Sequence, residues 1–80
     1  MIKSLYISRH ALRRMHLYDI STEQVSKTIY EPEKVVSSVK ERYNAYRRIG
    51  ERVFRVTYRE ELTRYIVVTV TPRKSFKGKL

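Results

Sequence analysis

The sequence predicts a single α+β domain in which two N-terminal helices pack on one face of a three- to four-stranded antiparallel sheet. The chain has 80 residues, enough for one domain with a modest core. Its apolar residues recur at helical spacing before Pro32 and alternate after it, the change of period expected between helices and strands. Because amphipathic helices and a one-sided sheet bury their apolar faces against each other, we expect a two-layer domain over residues 1–72.

Each predicted helix begins at a serine. Ser8 can accept a hydrogen bond from a free amide of the first turn. Ser21 and Gln24 have the spacing of a capping box, which starts a second helix, and Pro32 places the end of that helix near Tyr30. The apolar side chains of the two helices are Ala11, Leu12, Met15 and Tyr18 in the first and Val25 and Ile29 in the second.

The strand region centres on a hairpin over residues 43–59, after a short strand at residues 35–36. Gly50-Glu51 suits a two-residue turn of type II′, which places Ile49 opposite Arg52. Since cross-strand partners share a face, this register separates an apolar face from a polar one. The apolar face holds Ala45, Ile49, Phe54, Val56 and Tyr58, and the polar face holds Asn44, Tyr46, Arg48, Arg55, Thr57 and Arg59.

Residues 64–71 alternate in the same way and predict the last strand, which Pro72 is expected to end. For Ile66 to share the face of Tyr58, the connection over residues 60–63 needs a three- or five-residue loop, or a β-bulge. Residues 73–80 follow as a basic tail with one glycine, which we expect to be mobile.

The charge of the chain is its most unusual property. The net charge is +10, of which +7 lies beyond Tyr46. Basic side chains on edge strands can serve solubility and block edge pairing. Arginine also binds phosphate bidentately, and tyrosine can stack on an unpaired base, so the mixture of the two favours RNA. The residues predicted to contact RNA are Arg13, Tyr46, Arg48, Arg55, Arg59, Thr69 and Arg73.

Several classes of protein are excluded by composition. There is no cysteine, hence no disulfide framework or thiolate site. The longest apolar run is residues 65–68, far too short to span a membrane, and no helix is basic with bulky aromatics on its apolar face. The N-terminus is too polar for a signal peptide, so a cytoplasmic protein is expected. No metal site or cofactor is predicted, because ligand clusters and glycine-rich loops are missing from the sequence.

His10 and Arg14 are the candidate catalytic residues, because they stand four apart on the first helix. A histidine can act as general acid or base, and an arginine beside it can stabilise a pentavalent phosphate. RNA carries its own nucleophile in the 2′-hydroxyl, so this pair would need no metal. The alternatives for His10 are a structural role or a simple ligand contact. His16 is a weaker candidate, since helix surfaces carry such residues freely.

The segment from Ser8 to Ser21 reads S-x-H-A-x-x-R-M-x-x-x-x-I-S. With Pro32 and the strand patterns that follow, it resembles a small prokaryotic family of domains of unknown function, over about residues 5–72, related to the RelE/ParE and BrnT toxins. The resemblance implies a RelE-like fold and metal-independent cleavage of messenger RNA, on or off the ribosome. It also implies an antitoxin-like partner, and the family motif picks out His10, Arg14 and Thr69.

Three functional hypotheses follow. The first is a toxin-like endoribonuclease in which His10 acts as acid or base while Arg14, Arg48 and Arg55 stabilise the phosphate. The second is a non-catalytic module that binds RNA or protein with the same arginine face. The third is a partner-bound protein whose helices dock an antitoxin-like chain.

Overall fold

The structure, a computed structural model, describes residues 3–73. The five strands form one sheet, and both helices pack on one of its faces, which we call the inner face; the opposite face is the outer face. The predicted α+β class with two helices on one sheet face is confirmed. The elements in chain order are β1 (Ser4–Ile7), α1 (Arg9–Tyr18), α2 (Thr22–Tyr30), β2 (Lys34–Ser37), β3 (Tyr43–Ile49), β4 (Arg52–Glu60) and β5 (Arg64–Arg73).

The sheet is mixed and has five strands in the order β1-β5-β4-β3-β2, not the three or four antiparallel strands predicted. The additional strand is β1, which pairs in parallel with β5 so that Tyr6 lies opposite Ile66. All other neighbours are antiparallel. With four residues, β1 is too short for its alternation to be recognised in the sequence, and its pairing depends on a strand about sixty residues away.

Both predicted helix starts are confirmed. The Ser8 hydroxyl accepts a hydrogen bond from the Ala11 N–H at 3.1 Å, and it lies 3.2 Å from the Val68 carbonyl, to which it donates. Ser8 therefore caps α1 and fastens its start to β5. Ser21 and Gln24 form both hydrogen bonds of the capping box, at 3.1 Å and 2.9 Å, and α2 ends at Tyr30 as predicted.

The predicted hairpin register is also confirmed. Ile49 lies opposite Arg52, and Gly50 has a φ of +65° whereas Glu51 does not have a positive φ. A single positive φ at the first turn position is the property of a type II′ turn. Since this register is fixed, the predicted polar set of β3 and β4 lies on the outer face.

A β-bulge interrupts the pairing of β4 with β5. Thr57 lies opposite Thr69 and Tyr58 opposite Val67, so Val68 is the extra residue. The bulge brings Val67 onto the inner face beside Tyr58, where it is fully buried. Ile66, which was predicted to share the face of Tyr58, instead lies on the outer face.

The strand β5 continues through Pro72 to Arg73, so the prediction that Pro72 ends it is wrong. Only residues 64–67 of β5 pair with β1, which leaves the second half of β5 at a sheet edge, where proline is tolerated. Of the predicted basic tail, Arg73 belongs to β5, and residues 74–80 lie outside the described part of the chain.

The core lies between the inner face and the helices. Leu12, predicted on the apolar side of α1, is 43% exposed because it stands at the margin of that side. No helix within residues 3–73 is long and apolar enough to cross a membrane. The buried core residues are Ala11, Met15, Ile20, Val25 and Ile29 from the helical part and Ala45, Phe54, Val56, Tyr58, Val67 and Val70 from the sheet.

Candidate nucleic-acid interface

Four basic side chains gather on the outer face near the β3–β4 hairpin turn. Arg55 lies in one cross-strand row with Tyr46 and Thr71, and Lys34 extends this row on β2. In the next row toward the turn, Val53 pairs with Arg48 on one side and Arg73 on the other. We call the group formed by Lys34, Arg48, Arg55 and Arg73 the basic half of the outer face.

The charges of the basic half are not compensated by carboxylates. Within residues 3–73, none of its four side chains forms an ion pair. The nearby carboxylate of Glu33 accepts a hydrogen bond from the main-chain N–H of Arg48 at 2.8 Å, not from a guanidinium. The Nε atoms of Arg55 and Arg73 are buried without a hydrogen-bond partner. A ligand cannot reach these buried Nε atoms, but because no carboxylate pairs with the four cations, their charge is available to an anionic ligand.

The basic residues at the opposite end of the outer face are paired. Glu61 accepts a hydrogen bond from Arg64 Nε at 2.8 Å and lies 3.9 Å from Arg59. The hydrogen bond from Arg64 lowers the pKa of the Glu61 carboxyl, and the same bond raises the pKa of the Arg64 guanidinium. Arg59, predicted to contact RNA, thus shares a carboxylate with a neighbour, unlike Arg48, Arg55 and Arg73.

Tyr46 and Thr69 lie on the outer face, but neither is prominently exposed. Tyr46 is 6% exposed, so its ring is not presented to solvent as a surface for stacking a base. Thr69 is half-buried and lies opposite Thr57, whose hydroxyl donates to Asn44 Oδ1 at 2.6 Å. A polar row without charge therefore separates the basic half from the paired residues.

The candidate catalytic residues lie on α1, which packs over β5 from the inner side. His10 is exposed in the first turn, and its imidazole makes no hydrogen bond within the described residues. The Arg14 guanidinium lies 5.1 Å from the centre of the Tyr18 ring, and Arg13 is exposed. No hydrogen bond or ion pair of the described chain joins His10 or Arg14 to the basic half. The predicted site residues are therefore divided between α1, at the inner side, and the outer face of strands β3, β4 and β5.

The described residues contain no group of three or more histidine, aspartate or glutamate side chains that could hold a metal ion. The basic side chains and His10 offer guanidinium and ammonium donors for phosphate and an accessible imidazole for proton transfer.

Comparison with known proteins identifies the family. Residues 7–72 match the model of a family described as a domain of unknown function, DUF4258. The chain belongs to this family. No curated protein sequence and no solved structure shows significant similarity to it.

The DUF4258 match includes His10, Arg14 and Thr69, which were selected by the sequence motif, and does not extend to Tyr6 or Arg73. Tyr6 and Lys34 were not among the candidate residues that the sequence predicted for this surface. The available signal was the position of each residue beside apolar neighbours. Tyr6 stands between Leu5 and Ile7, and Lys34 precedes two valines. In strands of four residues that signal is too short to decide which face a side chain occupies.

Proposed function

We propose that this DUF4258 protein binds RNA through the basic half of its outer face, as a toxin-like protein of RelE-like arrangement. The observation that supports the proposal is the group of four cations without carboxylate partners on one sheet face. Cations of this kind replace the counterions of a nucleic-acid backbone, and the released counterions favour binding. A net charge of +10 adds attraction at longer range.

In the catalytic form of the proposal, the protein is a metal-independent endoribonuclease. The 2′-hydroxyl of RNA attacks the adjacent phosphate, the 5′-oxygen leaves, and a 2′,3′-cyclic phosphate remains. His10 takes or returns the proton and Arg14 stabilises the charge on the phosphate. The exposure of His10 supports this role because a substrate can reach the imidazole. A toxin of this kind would be neutralised by an antitoxin-like partner protein.

The second candidate is a non-catalytic RNA-binding module of the same fold. One observation favours it: no described side chain hydrogen-bonds to His10. Catalytic histidines are usually held in one tautomer and orientation by a third group. Both candidates bind RNA with the basic half. The catalytic one also requires the RNA to pass round an edge of the sheet, because His10 lies on α1 at the inner side.

Both candidates are tested by incubating the purified protein with RNA in the presence of a chelator, and measuring bound RNA and the ends of any product. We expect binding that weakens steeply as salt is raised from about 50 to about 200 mM. The endoribonuclease further predicts 2′,3′-cyclic phosphate ends that His10→Ala abolishes, by about 100-fold or more in rate.

The matched control is His16→Ala, which removes an exposed histidine from the same helix. Cleavage that persists in the His10→Ala protein would remove His10 from the mechanism. Binding without any cleavage identifies the module, and binding that does not respond to salt argues against phosphate contacts altogether.

A further inference from the structure

Two aromatic side chains of the described chain lie on the outer face, Tyr46 and Tyr6, and they differ in exposure. Tyr46 is 6% exposed and lies beside the basic half. Tyr6 is 51% exposed and lies at the other end of the face, where the parallel pairing of β1 places it beside Ile66. The ring that is accessible to a ligand on this face is therefore Tyr6, which is not among the residues that the sequence predicted.

The Tyr6 ring is supported from one side. The Arg64 guanidinium lies 5.2 Å from the ring centre, and Glu61 holds that guanidinium through the hydrogen bond at Nε. A cation over the ring attracts it and restricts its rotation. About half of the surface of Tyr6 nevertheless remains exposed, so part of the ring is accessible to a planar ligand.

An uncharged polar row separates the Tyr6 end of the outer face from the basic half. Arg55 and Arg59 are four residues apart on β4, about 13 Å, and Arg59 lies in the row of Ile66 and Tyr6. The outer-face positions between them on β4 and β5 are Thr57 and Thr69. The adjacent Glu60 pairs with Tyr65 and so lies on the inner face. An extended nucleic-acid strand a few nucleotides long could cover this path. The carboxylate it meets at the Tyr6 end is Glu61, whose charge is offset by Arg64 and Arg59.

We propose that single-stranded RNA crosses the outer face with its phosphates on the basic half and one unpaired base stacked on Tyr6. This inference rests on the proposed RNA binding and adds the class of RNA and the residue that recognises it. Stacking needs a base released from its neighbours, which single strands, loops and ends provide and a continuous duplex does not. Because every base has a π face, contact with Tyr6 selects unpaired bases without selecting a sequence.

The test compares Tyr6→Leu with the unchanged protein in binding a single-stranded oligoribonucleotide that carries 2-aminopurine, whose fluorescence falls when the base stacks. Leucine fills the position on β1 but has no aromatic face. We expect Tyr6→Leu to weaken binding about 5-fold or more and to remove the quenching. Tyr6→Phe keeps the ring and should retain both.

The matched control is Tyr43→Leu. Tyr43 is also on the surface, at 37% exposure, but pairs with Tyr58 on the inner face, so its loss should leave the binding of RNA unchanged. Circular dichroism of each variant shows that the fold is retained.

The two proposals fail in different ways. If Tyr6→Leu binds single-stranded RNA as tightly as the unchanged protein while Arg55→Gln binds it more weakly, the role of Tyr6 is refuted and RNA binding stands. If duplex RNA of equal length binds as tightly as the single strand, the preference for single strands is refuted. If the unchanged protein binds neither RNA, both the proposed function and the stacking role are refuted.

Discussion

The two ends of the sheet both carry basic side chains but arrange them differently. At the hairpin end, near Gly50, the basic half has no carboxylate partner among the described residues. At the far end, near the β4–β5 connection, Arg59 and Arg64 share Glu61, and Lys3 Nζ lies 2.6 Å from Glu60. Exposed pairs of this kind add little stability, yet they reduce the charge that an approaching polyanion meets.

This difference teaches that the number of basic residues does not locate a binding surface. Three cations and two acids gather in ion pairs at the far end, and four cations without an ion pair among the described residues gather at the hairpin end. Since a ligand phosphate must compete with any carboxylate already bound, the unpaired group should give the larger part of the binding energy. The far end instead offers Tyr6, so under the proposed RNA binding the two ends would contact different parts of one strand.

The largest effect that separates the two ends is expected in RNA affinity. Arg55→Gln removes an unpaired cation and should weaken binding by about 1.5–2 kcal/mol, roughly 10- to 30-fold. It should also reduce the slope of log affinity against log salt by about one phosphate contact. Arg59→Gln removes a cation that Glu61 already neutralises in part, so its effect should be several-fold smaller. Fluorescence anisotropy at several salt concentrations measures both quantities.

Lys27→Gln is the control for net charge, because Lys27 is exposed on α2 and away from the outer face. Equal losses for Arg55→Gln, Arg59→Gln and Lys27→Gln would show that RNA responds only to total charge, and the distinction between the two ends would then have no functional meaning.

The hairpin end could be predicted from the sequence because its signals are local. Gly50-Glu51 fixes the register, and the register alone places Arg48 and Arg55 on one face. The helix starts at Ser8 and Ser21 were predictable for the same reason, since a cap is decided within one turn.

The far end could not be predicted in the same way, because it is assembled from distant parts of the chain. The parallel pairing of β1 brings Tyr6 beside Ile66, and the bulge at Val68 decides which residues of β5 face outward. The ion pairs of Glu61 depend on the conformation of the β4–β5 connection. None of these leaves a periodic signal in so short a segment.

The turns at the two ends also differ, and the expected effect on stability is intermediate in size. The turn at the hairpin end contains Gly50, with a φ of +65°. At the far end, the connection between β2 and β3 turns at residues 39–42, where Lys40 and Glu41 have φ values of 57° and 59°. The Arg42 N–H donates to the Val39 carbonyl at 3.1 Å across this second turn, which makes it type I′, a turn that prefers glycine in its second position. The sequence offers no glycine there.

We therefore expect Gly50→Ala to lower the free energy of unfolding by about 1 kcal/mol, since a left-handed φ is unfavourable for a residue with a Cβ. No atom lies within 4 Å of an added Cβ, so the backbone conformation is the cause and not a clash. Glu41→Gly should raise the free energy of unfolding by about 0.5 kcal/mol, because glycine adopts this φ without strain. Urea unfolding measures both changes, and a loss of stability in Glu41→Gly would contradict the strain assigned to the far turn.

The smallest effect concerns alkaline pH and belongs to the far end. Burial raises the pKa of the Tyr58 hydroxyl, and the neighbouring Tyr65, Glu60 and Tyr43 raise it further. An unfolded tyrosine ionises near pH 10, so the folded chain resists ionisation at Tyr58. The stability linked to Tyr58 is therefore fully present below about pH 10 and is lost as pH rises through the higher pKa of the folded state.

Tyr58→Phe removes the ionisable group, so its free energy of unfolding should fall less between about pH 9 and about pH 11 than that of the unchanged protein. Tyr6→Phe, which alters an exposed ring on the outer face, is the control and should keep the full decline. Urea unfolding at several pH values gives the measurement. The ring centres of Tyr58 and Tyr65 lie 5.4 Å apart, so this contact is part of the buried surroundings of the hydroxyl. If the free energies of unfolding of Tyr58→Phe and the unchanged protein decline in parallel, the burial of this hydroxyl does not govern the alkaline stability.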